Sequence, residues 1–244
     1  MRLSLILCGA MWISFAGDLH YTGDKMNQAP ANDQKELPTA YAQHLKGKLE
    51  TGQFPGDATW EKAPAIQYEN DWQGQNPDAG RATEVRLLWT PETLFIRFHC
   101  KYKTITVFPH SREDGYRLGM WDRDVAETFL QPDSSDPMVY TEFEVSPNNK
   151  WIDLAVSHGK IEELHSGLWR RVTLDEKAKT WTAELAIPIK GLTKQFDAKK
   201  PWRANFYRIE GEEEPRFYSA WSPTLTPKPS FHVPMRFGTL VFQE

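Results

Sequence analysis

From about residue 47 onward, apolar and polar positions alternate with a period of two, which is the spacing of a half-buried strand. Leu94, Ile96, Phe98 and Cys100 share one side of a run ending at Lys101, and a second run, Glu84 to Trp89, precedes it across Thr90-Pro91-Glu92-Thr93. Proline in the second place of that turn predicts a hairpin. In the run ending at Val145, Val139, Thr141, Phe143 and Val145 point inward while Tyr140, Glu142 and Glu144 point outward. Residues 151–156 follow after a Pro147-Asn148-Asn149 turn. Trp181, Ala183, Leu185 and Ile187 alternate until Pro188, and residues 202–209, 217–221 and 237–242 supply further strands. No long helical period occurs, and residues 191–196 predict one helical turn at most. About nine strands between turns predict an all-β chain: a single antiparallel β-sandwich, jelly-roll-like, with sequence-distant strands paired.

One run breaks the separation of charge from apolar surface. Read as a strand from Asp124 to Leu130, it places Val125, Glu127 and Phe129 on one face, so a carboxylate stands among apolar neighbours. Such a group needs a donor or a counter-charge, and a polar ligand could provide it. Trp121, just upstream, adds a flat apolar plate with one polar edge. An aromatic plate beside a carboxylate suits a sugar ring, whose C–H face stacks and whose hydroxyls donate. The structural alternative is a core Trp and a Glu paired to an internal Arg. Arg208 is the natural partner, since it follows Trp202, Ala204 and Phe206 on one face; either Asn205 or Arg208 can then face the site, but not both without a bulge. Glu127 is therefore expected to be withdrawn from solvent and paired, with Arg208 or with a backbone donor.

The first residues change the picture of location. Arg2 precedes an apolar run from Leu3 to Phe15, too short to span a bilayer, with a small-x-small site at Ser14-Phe15-Ala16. This predicts an export signal over 1–16, a polar linker over 17–46, the sandwich over 47–244, and a secreted or periplasmic product. The 244 residues carry 10 Trp, 13 Phe and 8 Tyr and a net charge of -4, with Lys and Arg scattered. No basic field is present for nucleic acid. Only Cys8 and Cys100 occur, so there is no disulfide framework, and Cys100 is read as a buried apolar residue.

Taken in order, Gly56-Asp57-Ala58-Thr59-Trp60, Thr83 to Trp89 with Leu94-Phe95-Ile96, Trp121-Asp122-Arg123-Asp124-Val125-Ala126-Glu127, Tyr140 to Pro147, Trp181 to Pro188, Asn205-Phe206-Tyr207-Arg208, Trp221-Ser222-Pro223, Phe231-His232 and Phe237-Gly238 resemble family 9 carbohydrate-binding modules. The resemblance spans roughly residues 47 to 244 and implies a β-sandwich that holds a saccharide between two tryptophans and accompanies glycoside hydrolases. Carried over, the clamp would be Trp121 and Trp221 around an open groove, with Glu127 accepting from ring hydroxyls and Glu144, Asn205 and Arg208 around it. The position of Glu144 carries a basic residue in sugar-binding members of the family. The resemblance also implies calcium in some members, for which Asp122, Asp124, Asp133 and Asp136 offer hard oxygen ligands.

Two other classes compete with a non-catalytic binding module. Glu127, Glu142, Glu144 and Asp153 are raw material for a two-carboxylate glycoside hydrolase. Met120 with His232 or His110 could ligate haem in an electron-transfer sandwich, although no C-x-x-C-H site is present. No G-x-G-x-x-G, phosphate loop, H-E-x-x-H or G-x-S-x-G occurs.

Overall fold

A computed structural model describes residues 36–47, 49–50, 52–109 and 114–244. The expected export signal and most of the linker lie outside the described residues. Thirteen strands are present among them. The first group is β1 (Thr39–His44), β2 (Ala65–Tyr68), β3 (Thr83–Trp89) and β4 (Thr93–Lys101). Next come β5 (Val125–Gln131), β6 (Val139–Val145), β7 (Trp151–Ser157), β8 (Lys160–Glu163) and β9 (Trp169–Asp175). The last are β10 (Thr180–Pro188), β11 (Trp202–Glu210), β12 (Phe217–Ala220) and β13 (Gly238–Gln243). Four-residue α1 (Asp57–Trp60) seats Trp60 against the sheet.

The strands run in the order β8-β7-β6-β5-β11-β13-β1-β3-β4-β10-β9, with β12 beside β11 and β2 beside β3. The two halves of this curled sheet face one another, which makes the sandwich. Ala126, Leu130, Phe143, Val145, Ala204 and Phe206 from one half meet Leu87, Ile96, Phe98, Trp181 and Leu185 from the other in a shared core. All nine sequence-read strands are found, and alternation decides their faces. Phe143 and Val145 lie inside, whereas Val139, expected to point inward, is 43% exposed at the start of β6; Cys100 is buried and unpaired with another cysteine.

The linker assignment needs correction in its last part, because Thr39–His44 is a strand of the sheet. It pairs in parallel with both β13 and β3, so the sandwich is antiparallel except at this strand. Ala40 and Ala42 sit in the core, and alanines that small carry little apolar signal in a sequence. β8 and β9 escape the sequence reading for the opposite reason. They are exposed edge strands with polar residues on both faces.

Closure at the β1–β13 seam relies on one glycine. A Cβ on Gly238 would stand 2.5 Å from the Pro38 carbonyl oxygen and 2.6 Å from the Trp221 ring, so only hydrogen fits. No helix among the described residues is long and apolar enough to cross a membrane.

Candidate functional site on the outer face of the sheet

β5 is buried along its whole length, which means that both of its faces are covered. Its inner face meets the core. Its outer face, with Val125 and Phe129, packs under Phe231 and Phe237 from the segment before β13, together with Tyr140, Tyr207 and Ile209. Register then decides which charges enter this layer. Glu127 lies opposite Glu144, and Phe129 opposite Glu142, so three carboxyls fall on one face. Tyr207 flanks Glu127 from β11.

These carboxyls are withdrawn from water. Glu127 is 2% exposed, Glu142 4% and Glu144 0%. Both oxygens of Glu144 and Oε2 of Glu142 are buried without a hydrogen-bond partner. His232 stands at the rim, with Nε2 3.9 Å from Glu142 Oε2 and Nδ1 2.9 Å from the Tyr140 hydroxyl. Arg216 is the cation that acts on Glu127. Its guanidinium is already committed, donating to the Trp121 carbonyl at 2.7 Å and to Glu214 at 3.1 Å while lying 4.9 Å over Tyr218. Burial, and then repulsion from Glu142, pushes the Glu127 carboxyl well above the usual range. Burial, and then repulsion from Glu127 and Glu142, does the same to Glu144.

Trp121 is partly exposed above this floor and packs on the outer-face clusters, as Trp72 and Tyr218 do. Polar groups beneath and aromatic surface at the rim make this the candidate site. Most of its face is roofed by the 221–237 segment, so the open groove expected from the sequence is not what folding produces.

Several expected site residues go elsewhere. Arg208 does not pair with Glu127, because β11 turns it to the opposite face. It is fully buried inside the sandwich, with its guanidinium 4.9 Å over Trp181 and 3.5 Å from Glu210 Oε2. Arg208 is thus an internal ion-pair residue, but its partner is Glu210 and not the Glu127 that the sequence offered. Among the described residues the cation that bears on Glu127 is Arg216 and not Arg208, so the expected partner is corrected while the expected burial holds. Asn205 does face the outer side, but its amide is spent. Nδ2 donates to the Tyr207 hydroxyl and the Ser222 carbonyl, both at 2.8 Å, and Oδ1 accepts from the backbone N–H of Phe206 and Ser222.

Trp221 is not brought opposite Trp121. It packs against the inner core, with its ring 5.5 Å from Phe206, because β12 ends at Ala220 and the next residue falls on the other side. The two-tryptophan clamp is therefore not formed.

The four aspartates do not converge as a calcium site. Asp124 is buried and accepts from the Gly211 N–H, Asp136 holds His158 and the Met138 N–H, Asp133 caps its own turn at Ser135, and Asp122 is exposed. Among the described residues no group of three or more His, Cys, Asp or Glu has metal-holding geometry. Asp153 points inward and binds Ser166 and the His165 N–H, away from the other carboxyls. Of the haem ligands considered, Met120 is buried in the outer-face cluster, His232 is engaged by Tyr140, and His110 lies outside the described residues.

Tyr140, Tyr207, Phe231 and His232 line the site without having been singled out as site residues. Tyr140 was legible, since its parity with Glu142 and Glu144 is visible in the sequence. Phe231 and His232 reach the site through a loop, and no periodicity announces a loop.

Residues 52–244 match the family described as carbohydrate family 9 binding domain-like. The chain belongs to that family. A family 9 domain is a non-catalytic binding domain, so the two-carboxylate hydrolase reading is set aside. The fold agrees with solved members. A carbohydrate-binding module family 9 domain from Caldicellulosiruptor kristjanssonii in complex with cellotriose superposes with a TM-score of 0.60 at 13% identity, covering 84% of this chain and 94% of that one. A protein from Bacteroides uniformis ATCC 8492 assigned to carbohydrate binding gives a TM-score of 0.67 at 16% identity, covering 85% and 100%. At such identities the likeness is one of fold. In sequence, the chain is 28% identical over 178 residues to an "Extracellular protein" of Arthroderma benhamiae, covering 66% of this chain and 78% of the relative.

Proposed function

We propose that this family 9 domain binds a saccharide at the rim of the outer face of β5, β6 and β11, with the partly exposed Trp121 as the stacking platform above the buried Glu127 and Glu144 carboxyls. The observation that carries this reading is a partly exposed Trp121 packed on the outer-face clusters, on the face where burial raises the Glu127 and Glu144 carboxyls well above their usual range. Stacking supplies affinity that tolerates different sugars.

Calorimetric titration with glucose and with cellotriose, for the parent domain and for Trp121→Ala, tests it. Binding to the parent that is lost in the variant supports the reading; no heat with either sugar, or equal binding by both proteins, overturns it. Action outside the cell, in the periplasm or medium, fits the apolar run from Leu3 to Phe15 and the extracellular relative. N-terminal sequencing of the expressed product should find cleavage near Ala16. Delivery of a partner glycoside hydrolase to the bound chain is the use that suits a domain with no chemistry of its own.

A further inference from the structure

Trp121 and Trp151, both partly exposed, pack on one small cluster of Tyr116, Ile152 and Leu154. Cations gather around that cluster. The segment carrying Tyr116 and Arg117 is tied to the start of β7 by a bridge to Trp151 and by the Arg117 N–H, which donates to the Trp151 carbonyl at 3.0 Å. The Arg170 guanidinium lies 4.8 Å over the Trp151 ring. Arg117 and Arg123 stand 3.6 Å and 4.8 Å from the centroid of the Phe108 ring, and Lys150 donates to the Phe108 carbonyl. Arg123 is two residues past Trp121, so the basic group adjoins the stacking platform.

These cations differ in how far they are spent. Arg123 is paired with Glu212 at 3.2 Å, and Arg170 donates to the carbonyls of Asn149 and Asp114 with the Asp114 carboxylate acting on it. Arg117 has no such tie. Among the described residues its guanidinium meets neither an acid nor an acceptor; Nε is buried without a partner, while the side chain as a whole is partly exposed. Lys150 has no acid either, and burial, then repulsion from Arg117, lowers its ammonium from the usual range. Two neighbouring like charges, one with unspent donors, are relieved by an anion. The guanidinium fork matches a carboxylate or a sulfate with two parallel hydrogen bonds, and the Phe108 ring beneath it holds that fork in place. Asp122, exposed on the same rim, is the acid that an incoming anion has to avoid.

We propose that the saccharide taken at Trp121 is an acidic one, a sugar that carries a carboxylate or sulfate group, and that Arg117, with Lys150 behind it, receives that group. This rests on the reading of Trp121 as the stacking platform. A neutral chain gains nothing from these cations, so they sort acidic saccharides from neutral ones.

The test titrates the protein with glucose, glucuronate and glucose 6-sulfate, which share one ring and differ in the group at its sixth carbon, and follows ¹H–¹⁵N shifts. Glucuronate or glucose 6-sulfate should bind about tenfold tighter than glucose at low salt, and the advantage should shrink as salt is added. Whichever anion gains more identifies the group received. Arg117→Gln should remove the advantage and Arg117→Lys should keep part of it; the salt dependence of the parent reads the same charge without any variant. Equal affinity for all three sugars, or an advantage that persists in Arg117→Gln, overturns the acidic ligand and leaves the reading of Trp121 standing. An acidic preference that survives unchanged in Trp121→Ala overturns the joint site. Silence toward all three sugars removes both readings together.

Discussion

Replacing Glu144 by Gln isolates the electrostatics of the outer face. The carboxyl is fully buried and unpartnered, and burial and neighbouring carboxyls raise it above the 4.5 of an unfolded glutamate. An acid whose folded value is raised contributes stability that is intact below 4.5 and is lost as the pH climbs toward the folded value. At pH 7 the protein therefore either holds a proton that the unfolded chain releases or carries a buried charge. Holding the proton costs about 1.4 kcal/mol for each unit between 4.5 and 7, which is about 3 kcal/mol at most.

Glu144→Gln keeps the shape and has nothing to ionise. Its stability relative to the parent should thus rise between pH 4 and pH 7, by about 1 to 3 kcal/mol, with the neighbours Glu127 and Glu142 left to absorb part of the change. Urea denaturation at pH 4, 5, 6 and 7 reads this directly, because the slope with pH is insensitive to any fixed cost of the amide. A difference that stays flat across the series, or one in which the variant loses ground toward pH 7, would falsify the account of a buried carboxyl raised above its usual range.

Other variants address separate parts of the structure. Trp121→Ala should lose about 1 to 3 kcal/mol of saccharide binding by calorimetry, with a smaller drop in stability than a core Trp would show, since the ring is partly exposed. Trp60→Ala, by contrast, empties a fully buried site and removes the indole donor from Glu184 Oε1 at 2.6 Å, leaving Glu184 with Arg171 alone; it should cost about 3 to 5 kcal/mol in denaturant titration. Arg208→Ala leaves Asp124 and Glu210 facing each other inside the sandwich and should cost about 3 to 5 kcal/mol. Asp124, raised to about 6 chiefly by burial, loses its stabilising contribution as the pH rises through 6, so Asp124→Asn should flatten the pH profile of the melting temperature between 4 and 7. Gly238→Ala should lower the melting temperature by several degrees, because neither the Pro38 carbonyl nor the Trp221 ring can withdraw freely.

Alternation alone determined the nine principal strands, the inward faces of β10 and of the second half of β6, and the placing of Glu127 on the side of Phe129 and of Glu144 on the side of Tyr140. Those features depend only on the two-residue period of a strand, which a sequence displays directly. The order of recognisable segments also carried the family. Everything that depends on which strands become neighbours was left to folding. β1 entered the sheet because two alanines fit between β3 and β13, and nothing in Ala40 or Ala42 advertises a partner two hundred residues away. Arg208 and Glu127 each stand on an apolar face, and the sequence could not say that these were the two opposite faces of one sheet; only the pairing of β11 with β5 decided it. Trp221 likewise shares its residue type with Trp121, yet one step past the end of β12 turned it to the other side of the sheet. A strand's period fixes faces relative to that strand, whereas a binding site needs faces relative to one another, and long-range register is the physical quantity that converts the first into the second.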